Sequence, residues 1–181
     1  MPWRNGGGTT TEILIAPEGT SVSGERFLYR VSIADVASDG PFSRFDGYDR
    51  HIMLLGGAGM TLDCAAHGRI ELHAPFEPHS FSGDWEVDGA LVGGAVRDFN
   101  LMVDRARATS SLVAEVLEGP RWLPCEPGHV CIVHMIEGAL AGADEGDTLV
   151  ADGPLELVPR GTARVRVAIA RIAPVLEGAT G

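Results

Sequence analysis

Apolar and polar residues alternate with a period of two along much of this chain, and that spacing predicts strands. Phe27, Tyr29, Val31 and Ile33 alternate with Leu28, Arg30 and Ser32, which gives a strand with one apolar face. Near the end, Val165, Val167 and Ile169 alternate with Arg164, Arg166 and Ala168 in the same way. Two other runs, Ile52 to Leu55 and Val130 to Ile136, are apolar on both faces and are expected at the centres of sheets. Thr9 to Ile15 is a β-branched run and reads as a further strand. Ser110 to Glu118 fits either period, since Val113, Val116 and Leu117 suit helix or strand, and is read as strand. Gly and Pro recur at short intervals, the turn chemistry of many short strands. The chain is therefore expected to be all-β.

An internal repeat extends that reading. In the first half His51-Ile52-Met53-Leu54-Leu55 leads to Gly57-Ala58, and later comes Gly68-Arg69-Ile70-Glu71-Leu72. In the second half Ile132-Val133-His134-Met135-Ile136 leads to Gly138-Ala139, and later comes Gly153-Pro154-Leu155-Glu156-Leu157. Apolar strand, Gly turn, then Gly-x-Ile/Leu-Glu-Leu in the same order predicts a duplication and two β-barrel lobes of jelly-roll type. The alternation is broken between Arg97 and Ser111 by Asp104, Arg105 and Arg107, which places the lobes at 1–104 and 105–181.

Composition narrows the chemistry. No apolar run approaches the roughly 20 residues of a membrane span, and the start lacks a basic and apolar signal region, so a cytoplasmic location is expected. Cys64, Cys125 and Cys131 are odd in number and irregularly spaced, which suits a reducing compartment rather than a disulfide framework. A net charge of −11 argues against nucleic acid as a partner. The chain contains no lysine: all 14 of its strong bases are arginine. That excludes Schiff-base chemistry and lysine-anchored pyridoxal phosphate, and no cofactor is expected. Arginine, whose planar fork matches a carboxylate, is then the strong side-chain cation for an anionic ligand.

Two blocks concentrate residues that no ordinary strand needs, Pro2 to Gly8 and Asp39 to Leu55. Gly6-Gly7-Gly8 is not a phosphate loop, because no Lys-Ser/Thr pair follows and the next segment is a strand, not a helix. Beside Trp3 and Asn5 it is either a turn before a strand or a shaped wall of a pocket. In the second block Phe42, Phe45 and Tyr48 would pin a loop ahead of a buried strand, and Arg50 enters that strand. A charge there wants a partner, either a structural ion pair or a ligand carboxylate. Arg30 is a weaker candidate of the same kind, on the less apolar face of its strand. Asn100 is an amide in an apolar run and must find hydrogen bonds to backbone or to a ligand. Asp98 and Arg105 flank it and read as solvated.

Cys125, His129, Cys131 and His134 have a zinc-like spacing, but His134 would face away from His129 and Cys131 on a strand, so no metal site is expected. His67 and His73 bracket a turn and strand, and His79 reads as loop. No Gly-x-Ser-x-Gly elbow or other catalytic nucleophile stands out. His51 and Asp49, two apart in an extended segment, share a face and form the one acid–base dyad on paper, although a packed core role for His51 is the commoner one.

The two blocks, together with Ser32 to Val36 (SIADV) and Val96 to Met102 (VRDFNLM), resemble the HutD/Ves family of bacterial proteins. The resemblance runs from Pro2 to about Arg105 and is looser beyond. It implies a two-lobed cupin fold, genes often placed beside those of histidine degradation, and no established enzymatic activity. Family members usually have Lys where this chain has Arg4, and an extra strand before Pro2, so an edge strand of the first sheet is expected to be missing. In the second half Gly153, Pro159 and Gly161 resemble the second cupin motif, with Arg164 where metal-binding cupins place His. An arginine there cannot ligate a metal.

The first reading is thus a metal-free bicupin that binds a small carboxylate metabolite, of the urocanate or formylated-glutamate class, without catalysis and with a role in restraining histidine utilisation. Trp3, Asn5, Glu12, Arg30, Arg50 and Asn100 would form the site. Arg50 would hold the carboxylate, Trp3 would cover an apolar or ring portion, and the two amides would add hydrogen bonds. A metal-independent isomerase or epimerase using His51 with Asp49 is the second reading. The third is a structural or partner-binding protein, a homodimer through exposed strand edges.

Overall fold

The computed structural model describes residues 1–3, 6–22, 24 and 26–175; Arg4 and Asn5, both singled out above, lie outside them. The chain divides into two compact units, Met1–Arg105 and Ala106–Gly181. No helix among the described residues is long and apolar enough to cross a membrane.

In the first unit, β1 (Gly8–Ala16), β2 (Tyr29–Val36), β4 (Tyr48–Gly56), β7 (Pro78–Ser82) and β9 (Val96–Asp104) form a sheet in the order β1-β2-β9-β4-β7. A second sheet, ordered β3-β8-β5-β6, is built from β3 (Gly40–Pro41), β5 (Met60–Asp63), β6 (Arg69–Leu72) and β8 (Asp88–Leu91). The doubly apolar run at Ile52 lies in β4, inside its sheet as its pattern requires. The start of the chain turns back on β1 through a bridge between Pro2 and Thr9, with Trp3 N–H donating to the Gly8 carbonyl.

Strand register sets the inner face of the first sheet. Ser32, Asn100 and Ile52 stand side by side, as do Ala34, Asp98 and Leu54, and Arg30, Met102 and Arg50. Ala34, Ile52 and Leu54 pack against Met60, Leu62, Leu72 and Val87. Burial of each large aliphatic chain in such a core contributes about 1.5–3 kcal/mol. The opposite face of the same strands, with Val31, Met53, Phe99 and Leu101, is also fully buried. The alternation in β2 therefore does not separate core from solvent. Its polar side, Arg30 and Ser32, faces inward.

The second unit repeats this plan. β10 (Ala108–Leu117), β12 (Val130–Glu137), β13 (Thr148–Ala151) and β15 (Val165–Pro174) are ordered β10-β15-β12-β13, while β11 (Arg121–Leu123) pairs with β14 (Leu155–Leu157). Ser110 to Glu118, ambiguous in period, is strand β10 but for its last residue. Residue pairs correspond one for one: Leu54↔Asp98 to Met135↔Val167, Ile52↔Asn100 to Val133↔Ile169, and Arg50↔Met102 to Cys131↔Arg171. A register shift follows at the same place in both, after Leu54 and after Met135.

The Gly turns of the repeat are equivalent for a physical reason. Gly57 (φ 103°) and Gly138 (φ 77°) both adopt the left-handed region. A Cβ on either would lie within 2.7 Å of backbone, at the Ala95 carbonyl oxygen in one case and the Arg164 carbonyl oxygen in the other.

The later half of the repeat does not correspond. β6, carrying Arg69-Ile70-Glu71-Leu72, hairpins onto β5, whereas β14, carrying Leu155-Glu156-Leu157, pairs with β11 in the manner of β8 with β3. The β5–β6 hairpin is reduced in the second unit to a bridge between Leu140 and Ala143. The Gly-x-apolar-Glu-apolar likeness therefore joins strands with different places in the two units. His79, read as loop, lies in β7 opposite Ile52.

Candidate functional site

A cavity of about 650 Å³ opens in the first unit above the inner face of the β1-β2-β9-β4 strands, with Trp3, Arg30, Arg50, Asp98, Asn100 and Phe42 in its walls. Arg30 and Arg50 project from β2 and β4, and Asp98 and Asn100 are two apart on β9, so one pleated face presents all four. Each is at most 5% exposed.

Arg30 is held at its base. Its Nε donates to Glu12 Oε2 at 2.7 Å, and Nη1 donates to Ser32 Oγ at 3.3 Å. A register shift in β1 between Glu12 and Leu14 sets Glu12 against Ser32, two residues from Arg30 on β2. Glu12 thus meets the cavity through Arg30 and is not part of its wall. Trp3 is fixed by donation from its indole Nε1 to Thr10 Oγ1 at 2.7 Å. The glycine stretch has a part in this: a Cβ on Gly8 would sit 2.4 Å from the Asp35 carbonyl oxygen and 3.3 Å from the Trp3 ring.

Arg50 is different. Its Cζ lies 4.8 to 5.7 Å from the ring centroids of Phe42, Phe45 and Phe81. Such faces favour a cation that water no longer solvates. Nη1 donates to the Ser43 carbonyl and Nη2 to Asn100 Oδ1, both at 3.2 Å. The Asn100 amide nitrogen donates to Asp98 Oδ1. Arg50, Asn100 and Asp98 therefore form a chain in which one planar amide spans a cation and a carboxyl group. Among the described residues, Arg50 Nε and Asp98 Oδ2 are buried with no hydrogen-bond partner, and Arg50 makes no ion pair. Burial lowers the Arg50 guanidinium to about 10, opposed by the charge of Asp98, and it remains a cation at neutral pH. Burial raises the Asp98 carboxyl to about 7, against the pull of Arg50 and Asn100.

Of the residues expected to form a site, the cavity brings together Trp3, Arg30, Arg50 and Asn100, with Glu12 behind Arg30; Asn5 lies outside the described residues. Two readings are corrected. Asp98, taken as solvated, is 1% exposed and lines the cavity, which its spacing of two from Asn100 already implied. Arg105 is tied down, its Nη1 donating to Asp84 at 2.6 Å and its Nη2 to the Tyr48 carbonyl and Ser82 Oγ, both at 2.7 Å.

His51 and Asp49 do share a face of β4, but Arg50 between them is the residue that meets the cavity. His51 Nδ1 pairs with Ser80 Oγ at 2.7 Å, and Asp49 Oδ1 with Arg105 Nε at 3.0 Å. Burial pushes the His51 imidazole down, with Asp49 pulling the other way. The dyad is thus turned from the cavity and engaged elsewhere. Among the described residues no group of three or more His, Cys, Asp or Glu converges as a metal site. Burial and the adjacent Cys125 thiol push Cys131 up to about 12, so it stays an unreactive thiol.

A family model described as HutD matches residues 1–174. The structure is similar to that of HutD from Pseudomonas fluorescens SBW25, determined in a formate condition, with 32% identity and a TM-score of 0.73 over 97% of this chain and 93% of that one. It is also similar to a conserved protein of unknown function from Pseudomonas aeruginosa PAO1, at 31% identity and a TM-score of 0.79 over 96% and 93% of the two chains. An uncharacterised 21.2 kDa protein in the hutC 3′ region of Pseudomonas putida is 46% identical over 102 residues, 56% of this chain and 52% of that protein, so the match spans about half of that relative's length. At the level of fold alone, a cupin 2 conserved barrel domain protein from Leptotrichia buccalis matches 90% of this chain with a TM-score of 0.53 at 12% identity. The fold is cupin-like.

Proposed function

The chain belongs to the HutD family, and from that premise we propose that its first unit binds a small carboxylate metabolite in the Arg30–Arg50 cavity without chemical turnover, as part of the control of histidine utilisation. One observation carries this reading. The same strand plan is built twice, and the positions occupied by Arg50, Asp98 and Asn100 in the first unit hold Cys131, Val167 and Ile169 in the second. There they are part of a filled apolar core with Leu123, Val133 and Met135. The plan therefore folds without buried polar groups at these positions. Keeping them costs stability, because a desolvated charge is repaid only by close partners. A site that binds a ligand accounts for the cost.

The charge balance favours an anion. Glu12 neutralises Arg30, while Arg50 has no ion-pair partner among the described residues and its Nε–H is unused. Trp3, Phe42 and Phe45 offer apolar cover for the rest of a small organic acid. The cavity lies within the range typical of small-molecule sites. The Pseudomonas putida relative's place in a hutC 3′ region supports histidine utilisation as the context, and urocanate and formylated glutamate are the class of acid proposed.

The test is a thermal-melt panel with urocanate, N-formylglutamate, formate, glutamate and neutral sugars, on wild type and Arg50→Met. Methionine replaces the arginine stem with an unbranched apolar chain while removing the charge. A ligand at about 100 times its Kd stabilises by about 2.7 kcal/mol, well within detection. A carboxylate-specific shift that disappears in Arg50→Met is expected, with the acid recovered unchanged. A shift from no carboxylate at tens of millimolar would sink the reading.

A further inference from the structure

Arg50 and Asp98 line the same cavity, Arg50 Nε and Asp98 Oδ2 are buried without a hydrogen-bond partner among the described residues, and the Asn100 amide already spans the two side chains. An amide and a carboxylate are planar forks of nearly the same size. A carboxylate alongside Asn100 would join the same two side chains only if both present hydrogen-bond donors. Arg50 Nε always donates. Asp98 Oδ2 donates only when it carries a proton. An ionised Asp98 would instead oppose the incoming anion at close range with almost no water between them.

Resting on the carboxylate-site reading above, we propose that Asp98 is a ligand-binding residue that acts in its protonated form. Its Oδ2–H and the Arg50 Nε–H both donate to the bound carboxylate, and each anion enters the cavity together with one proton. Arg50 then holds a full negative charge, while Asp98 and the ligand share a proton in the manner of an acid–carboxylate pair. The charged surroundings fit this assignment. Of the groups around Asp98, Arg50 faces it from β4, and Arg30 lies on β2, already neutralised by Glu12 from β1. Asp35, at the outer end of β2, disfavours ionisation of Asp98 and is itself paired with Arg97. No lysine exists to compensate a second anion. Burial has already brought the Asp98 carboxyl to about 7, where taking up a proton on binding is easy.

The consequence is an affinity that falls with rising pH. Below about pH 6 Asp98 holds its proton before binding, and the Kd of a small acid is flat. Above about pH 7 each unit raises the Kd about tenfold, since the proton must be taken from solvent. Formate is a suitable probe, because its own ionisation lies far below this range and it has no other titrating group.

The experiment is isothermal titration calorimetry of the full chain with sodium formate from pH 5.5 to 9, repeated at pH 8 in phosphate and in Tris. Uptake of about one proton per formate at pH 8, read from the buffer dependence of the enthalpy, is expected for wild type. Asp98→Asn, whose amide donates at every pH, should bind with a Kd independent of pH and near the wild-type value at pH 5.5. Formate that binds wild type with the same Kd at pH 6 and pH 8.5, and with no buffer dependence, overturns this inference and leaves the carboxylate site standing. A pH dependence that survives in Asp98→Asn also overturns it, by placing the proton elsewhere. If formate and the other acids of the panel bind at no pH, the carboxylate site itself has failed. The buffer comparison on wild type decides the matter even if the variant does not fold.

Discussion

Asp98 also gives the sharpest prediction for the ligand-free protein. In an unfolded chain its carboxyl would titrate at its ordinary 3.8; in the fold, burial moves it to about 7. The folded state thus holds on to a proton that the unfolded state has released, and stability must fall as pH rises between these two values. The protonated form gives its full stability below about pH 4. That stability is lost progressively up to about pH 7 and the curve is flat above it. A displacement of about three units corresponds to about 4 kcal/mol in the upper plateau, and to less than half of that at pH 5. Asp98→Asn mimics the neutral acid at every pH, and its Oδ1 can still accept from the Asn100 amide. The variant should match wild type near pH 4 and exceed it by up to about 4 kcal/mol at pH 8. Urea unfolding followed by tryptophan fluorescence reads this, in a Trp122→Phe background so that Trp3 and Trp85 report the first unit alone. Trp122 is 62% exposed, so that background change is benign. A difference between the two proteins that stays constant from pH 4 to pH 8 would refute the reasoning, because it would mean that Asp98 titrates alike in both states.

Two further substitutions test the framework. Glu12→Gln leaves the buried Arg30 guanidinium without its carboxylate and should cost about 1–3 kcal/mol, read from the urea midpoint and reduced at high salt because Glu12 is partly exposed. Leu123→Ala in β11 removes a fully buried side chain and should cost about 2–5 kcal/mol, while Trp122→Ala beside it should cost under about 0.5 kcal/mol; near-equal losses would contradict the facing of that strand.

How much of this was legible in the sequence depended on what period two can express. It locates strands well: the runs at Thr9, Phe27, Ile52, Val130 and Val165 all mark strands, because burial on one or both faces leaves a direct trace. It also carried the Gly57–Gly138 correspondence, since a left-handed turn pressed against backbone tolerates no other residue. It does not say what lies on the polar side of a strand. Arg30 and Ser32 in β2, and Asp98 at the head of the apolar run of β9, give the pattern of a solvated face, yet their face encloses a cavity. For that reason Asp98 looked solvated while Asn100, two residues away on the same side, looked buried. The residues of the loop at Phe42 and Phe45 carried the contrary signal, since aromatic rings ahead of a buried arginine are what a desolvated cation needs. The pairing of β14 with β11, and not with a counterpart of β5, left no trace, because short edge strands look alike whatever they pair with.

The duplicated plan also allows the cost of the site to be measured. Asn100→Ile alone strands two polar groups at once, Arg50 Nη2 and Asp98 Oδ1, in a volume with little water, and should destabilise by about 3–5 kcal/mol. Asp98→Val and Asn100→Ile combined with Arg50→Met import the apolar solution of the second unit, where Val167 and Ile169 close the core. Replacing a whole buried polar group of this kind by packed apolar residues is neutral or stabilising by about 1–4 kcal/mol. The triple variant should therefore regain or exceed wild-type stability at pH 8 while losing every carboxylate-dependent melt shift. A triple variant as unstable as Asn100→Ile would mean that Arg50, Asn100 and Asp98 help to hold the fold, and their presence would then need no ligand to explain it. Stability regained with binding lost is the signature of a site kept at the expense of the fold.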